Sequence, residues 1–293
     1  MGKVSKIAIP EFEMFGFSSM NALKAYLLLY GYEIKRIRQK YPSNSIGDLL
    51  GYKAFLLEKL MQNICTYVMV VEESQDYIVA SSILRILLDG ISVYNFIYRT
   101  NDKEEMLLRH YLYIIDGVLK KLDINSKYPL RRTDKITEEE YSLLAQKLSY
   151  MRKNLNQTRD FCIKAIKNLD IYLSHKKMIE RLIQKGNWKF SSFDNPTTLK
   201  WKELHDRLPS EFHGLYSDLC DYLSQYVHGL SESNLILEIN NKDLYEPLSA
   251  NVVLILNFIQ EAMINDFEVD VQFLINGLID SPNFQAYYSY TVN

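Results

Sequence analysis

YIVASSILRILLDGISVYNFIY, residues 77–98, decides the fold class. Apolar residues cover this segment nearly all round, which is the pattern of a helix buried at the centre of a bundle. Arg85 and Asp89 stand at its middle, so no uninterrupted apolar run reaches 18 residues. Each would cost about 2.5–3.5 kcal/mol at mid-bilayer. The segment therefore reads as the body of a core helix from Ser74 to Arg99 in a soluble protein, and no membrane association is expected.

Outward from this helix, apolar residues recur at helical spacing almost throughout. Towards the N-terminus, Met20, Leu23, Leu27, Tyr30 and Ile34 form the stripe of a helix from Ser18 to Lys40, which Pro42 ends. A second helix covers 46–71, with Leu49, Leu50, Phe55, Leu56, Leu60 and Ile64 facing inward. Towards the C-terminus, Asp102 with Glu104 and Glu105 opens a helix running to Leu122, since acidic groups favour a helix N-terminus. Thr137 and Glu140 make a capping box, after which a Lys-rich helical stretch runs to Lys185 with a break near Asp170. A short helix lies over 198–207, another spans Ser210 to His228 with Gly229 as its C-cap, and a last one begins near Pro247. The expectation is an all-α bundle of eight or nine helices forming a single domain over 1–293. Loops lie near 123–136 and 186–197, a short extended piece at 235–239, and an irregular tail at 281–293.

Composition agrees. Glycine (11) and proline (7) are scarce, against a sheet fold rich in tight turns. The N-terminus carries no secretory signal pattern. Cys65, Cys162 and Cys220 are odd in number and far apart, with no CxxC. No disulfide framework is expected, and a reducing cytoplasm is the natural compartment. His205 and His213 flank Pro209 and share no helix face, and no HExxH occurs, so no metal site is expected. The GxGxxG, P-loop and GxSxG patterns are missing, so no cofactor is expected either.

The net charge is −2, unevenly spread. Residues 99–185 hold 19 basic and 12 acidic side chains, and residues 203–293 hold 2 and 14. Such asymmetry marks a nucleic-acid face on 99–185, or two parts that pack together within one fold or across a homodimer.

Two segments carry candidate chemistry. In the central helix Ser81, Arg85 and Asp89 are spaced four apart on one face, with Ser82 and Ser92 beside them. Buried charges need partners. Either a polar pocket is prepared inside the bundle, or Arg85 pairs with Asp89 and ties two helices together. In YSDLCDYLSQYVHGL, residues 216–230, Ser224 and His228 share a face at a helix C-terminus. The helix dipole there favours the protonated imidazole, so His228 serves as a general acid or base, or caps the last carbonyls. The loop NWKF, 187–190, with Trp201 nearby, either stacks a base or plugs one end of the bundle.

The stretches SSILRILLDGISVYNFIYR (81–99) and LYSDLCDYLSQYVHG (215–229) resemble a group of prokaryotic all-helical proteins related to the HEPN superfamily. Arg85, Leu87, Leu88 and Asp89 match an Arg-x-Leu-Leu-acid run, and Ser224, Val227, His228 and Gly229 match a Ser-x-x-Val-His-Gly helix end. The resemblance implies a HEPN-like bundle and a cytoplasmic protein of phage-defence or stress type that binds RNA or nucleotide. It also implies metal-independent RNA cleavage in members with a complete Arg-x(4–6)-His motif. Here the arginine positions of that motif hold Leu223, Tyr222 or Asp221, so only an arginine from elsewhere, such as Arg85, could complete it. The candidate catalytic set is His228, Arg85, Ser224 and Asp89. The alternative is a non-catalytic interaction module that offers its acidic C-terminal part to a protein partner.

Overall fold

The computed structural model describes residues 19–209, 215–227, 245–270, 272 and 276. Of these, 78% are helical and none is in a strand. The helices are α1 Ser19–Lys40, α2 Leu49–Met69, α3 Tyr77–Tyr98, α4 Lys103–Lys127, α5 Glu138–Lys167, α6 Asp170–Ser174, α7 Lys176–Lys185, α8 Trp201–His205, α9 Leu215–Val227 and α10 Tyr245–Phe267. Among the described residues the count is ten, because the Lys-rich stretch breaks at Asn168–Leu169 and again at His175. A π-helical turn, Val70–Ser74, ends α2, and Gln75 follows it in the left-handed region at φ 51°.

Local signals set most helix starts. The Asp102 carboxylate accepts from the backbone of Glu104 at 2.8 Å and Glu105 at 3.3 Å, satisfying two donors that the first turn leaves free. Thr137 and Glu140 close a reciprocal capping box at 2.9 and 3.2 Å. Helix α4 runs five residues past its expected end, so the first loop begins at Tyr128. The Ser210 cap, the extended piece at 235–239 and the tail at 281–293 lie outside the described residues.

The sequence offers no linker, yet the described chain divides into two compact units. One holds 19–92 with 215–227 and 245–270, and the other holds 93–209. The boundary falls inside α3, where an unbroken helix gives no compositional sign of it.

In the first unit α10 packs on α1 and α2. Tyr30 donates to Gln260 Oε1 at 2.8 Å, and the Tyr67 and Ser249 hydroxyls lie 3.0 Å apart. Lys53 Nζ and Asp266 Oδ1 pair at 2.8 Å with both side chains nearly buried. This pair corrects the expected face of α2. Leu50 is exposed and Phe55 and Leu56 are half-buried, while Lys53, Ala54, Leu57, Met61 and Tyr67 turn inward. Apolar residues cover two faces of α2, and the Asp266 carboxylate is what lets the face carrying Lys53 be the buried one.

In the second unit α4 packs along α5 and also meets α6 and α7. Leu108, Leu112 and Ile115 of α4, Ile166 of α5, and Ile179 and Leu182 of α7 make its core, closed by Trp188 and Phe190. Gly186 ends α7 at φ 59°, as a left-handed C-cap requires.

By length and composition, Leu49–Ser74, Tyr77–Tyr98 and Tyr245–Phe267 could each cross a membrane. Their apolar windows are 33%, 61% and 50% buried within the protein itself.

Candidate functional site

Arg85 and Asp89 are one turn apart on α3, the spacing at which side chains on a helix surface meet. The Arg85 Nη1 donates to Asp89 Oδ1, and its Nε donates to Ser224 Oγ on α9 at 3.2 Å. The Ser224 hydroxyl in turn donates to the Cys220 carbonyl at 2.7 Å, which turns a lone pair towards the guanidinium. The Arg85 side chain is 14% exposed and that of Asp89 33%. Three of the four sequence-predicted residues therefore meet. His228, with Gly229, lies outside the described residues.

The two flanking serines do not join them. Ser82 and Ser92 donate to the carbonyls of Ile78 and Leu88, each four residues back, and so satisfy their own helix. Beneath the pair, burial pushes the Cys220 thiol up to about 12; Asp89 and Asp221 add to this and Arg85 opposes it. A neutral thiol there is a packing group at neutral pH. Two turns before Arg85, Tyr77 sits 3.4 Å from the Tyr222 hydroxyl, which is 2.6 Å from that of Tyr226. Burial and the two neighbouring phenols push the Tyr77 hydroxyl well above its ordinary range. Arg85, braced by Asp89 on its own helix, thus holds α3 to α9 through the Ser224 hydroxyl, the geometry of a helix-to-helix tie with a polar rim.

The NWKF loop plugs the second unit: Trp188 and Phe190 are buried, and the Trp188 indole donates to Asp116 Oδ2 at 3.3 Å. His205 is buried against Trp201, with ring centroids 6.2 Å apart. Among the described residues, no group of three or more His, Cys, Asp or Glu side chains is placed to hold a metal ion.

No protein-family model, curated protein or solved structure matches this chain.

The second unit adds two features to the sequence reading. The unit carries 23 basic and 15 acidic side chains, a net of +8. Within it, Lys147–Lys167 of α5 holds six basic residues and one acidic, and Lys147, Arg152, Lys153, Lys164 and Lys167 are exposed. The positive excess over 99–185 was legible in the sequence, and within α5 it lies beyond the acidic first turn, Glu138–Glu140. Secondly, Arg99, Arg109 and Arg207 line one cavity together, although they come from three separate segments.

Proposed function

We propose that this chain is a HEPN-like, cytoplasmic RNA-binding protein that holds RNA along α5. The observation that carries the reading is the exposed basic run of that helix. Four of its exposed basic residues, Arg152, Lys153, Lys164 and Lys167, fall on one side of the helix at 3.6 residues per turn and present a stripe of positive charge over about four turns to a polyanion. The helical architecture and the meeting of the Arg85 and Ser224 helices support the HEPN-like part of the reading. The charged pairs that α2 and α3 carry favour a protein surrounded by water over one surrounded by lipid. Cleavage is not part of the proposal, because Asp89 and Ser224 already engage the Arg85 guanidinium.

Fluorescence anisotropy with a labelled single-stranded RNA tests this reading. Four phosphate contacts predict a loss of about 50-fold in affinity between 50 and 200 mM salt, from a slope of about −0.7 per contact. Neutralising Arg152, Lys153 and Lys164 together to Gln should flatten the slope by about 2. Absent binding, or an unchanged slope in the triple variant, rejects RNA as the ligand of α5. The interaction module with an acidic C-terminal part would then be the better account.

A further inference from the structure

The floor of a cleft in the second unit is a buried guanidinium. Arg109 lies on α4, one turn after Glu105, with its side chain only 4% exposed. Its guanidinium carbon sits 3.8 Å from the centroid of Phe96 and 4.2 Å from that of Phe190, a sandwich that fixes the plane of the group. Nε donates to Glu105 Oε1 at 2.9 Å, and Nη2 donates to the same oxygen. Nη1 is buried and has no hydrogen-bond acceptor. A buried donor on a charged group is costly to leave unmatched, and native structures nearly always match one.

The cavity beside it measures about 280 Å³, near the lower end for small-ligand sites, about 300 Å³. Arg99 and Arg207 line it with Arg109, against the single carboxylate of Glu105. The lining side chains therefore carry a net charge of +2. Asn95 and Thr100 add neutral polar groups. The Asn95 amide also donates to the Arg207 carbonyl at 2.8 Å, holding that segment at the cleft edge. Burial first, and then the neighbouring Arg207 charge, weaken the hold of Arg109 on its proton, while Glu105 strengthens it. An anion in the cleft would relieve the repulsion between the two guanidiniums and supply the acceptor that Nη1 lacks.

We propose that this cleft is a binding site for a phosphate dianion, free or as a terminal phosphomonoester, held by Arg109 from below and by Arg99 and Arg207 at the sides. A double negative charge matches the surplus. Planar guanidinium forks match phosphate oxygens in pairs, and three forks from separate segments line this one cleft. The inference does not rest on RNA binding by α5, because the cleft is built from other side chains.

Isothermal titration of the full chain at constant ionic strength tests it, using inorganic phosphate, adenosine 5′-monophosphate and adenosine. Phosphate and the monophosphate should bind saturably at one site, and adenosine should not. A monophosphate affinity at least about tenfold above that of phosphate assigns a phosphomonoester, and equal affinities assign free phosphate. Arg207→Gln changes an exposed side chain and should fold normally; it should weaken binding about tenfold, the usual share of one charge-assisted contact. Arg99→Gln gives a second reading of the same loss. Either variant should leave RNA binding as in the wild type, and the α5 triple variant should leave phosphate binding intact, so the two proposals fail separately. No saturable phosphate binding, adenosine binding as tightly as its monophosphate, or wild-type affinity in both arginine variants would overturn the inference.

Discussion

Replacing Arg85 by Met removes the guanidinium while keeping much of the aliphatic volume, and isolates the tie between α3 and α9. The change leaves Asp89 without its ion pair and Ser224 without its donor. A fully buried pair would cost about 3–5 kcal/mol to break, and an exposed one about 0–1 kcal/mol. With Arg85 14% and Asp89 33% exposed, the expected loss lies between these, at about 2 kcal/mol. Ser224→Ala removes one acceptor of a charged donor and should cost about 1 kcal/mol. The double-mutant cycle between the two should show a coupling of about 1 kcal/mol, as for residues in direct contact. Arg85→Met with Asp89→Leu should recover most of the loss, because the carboxylate that lost its guanidinium is gone. The assay is urea unfolding followed by far-UV circular dichroism. Trp188 and Trp201 both lie in the second unit, so tryptophan fluorescence run in parallel reports that unit by itself. Stability of Arg85→Met within about 0.5 kcal/mol of wild type, the usual scatter of surface changes, together with no coupling to Ser224, would refute the tie.

Two further outcomes follow from the backbone and the buried titratable groups. A Cβ on Gly186 would lie 2.8 Å from the Asp116 Cα of α4, at a residue with φ 59°. Gly186→Ala should therefore cost about 2–4 kcal/mol, combining left-handed strain with overpacking. Gly117→Ala, with nothing within 4 Å, should gain about 0.5–1 kcal/mol. Equal unfolding midpoints for the two variants would contradict the close approach of Gly186 to α4. Burial pushes the Cys162 and Cys220 thiols up to about 12 and also raises the Tyr30 and Tyr67 hydroxyls. In the unfolded chain these groups ionise near about 8.5 and 10. Their stabilising share is thus complete below about pH 8.5 and is lost as pH rises towards the folded values. Stability measured from pH 7 to 12 should decline from about pH 9 upward, and at pH 7.5 a maleimide should label Cys65 while sparing the other two thiols until denaturant is added. A flat profile to pH 11, or equal labelling of all three, would show that the two thiols are not buried as described.

Local chemistry by itself determined the helical class and much of its punctuation. Leu84, Leu87, Leu88 and Ile91 are fully buried, as an all-round apolar helix must be in water. Asp102 and Thr137 cap α4 and α5 because their oxygens reach backbone donors only two or three residues away. The spacing of Arg85 and Asp89 likewise made their pairing legible, since helix geometry alone brings them together. Tertiary structure alone decided matters that depend on partners distant in the chain. Lys53 turns inward because of Asp266, 213 residues later, so the apolar period of α2 could not show which of its faces is buried. Ser224 answers Arg85 across 139 residues. The division inside α3 leaves no mark on a continuous apolar helix. Glu105 and Arg109 stand at the spacing of an ordinary helix pair, and only the fold brings Phe96 and Phe190 onto the guanidinium from segments before and after α4. A helix period records which residues share a face, but the burial of a charge depends on the carboxylate, hydroxyl or ring that folding brings to it.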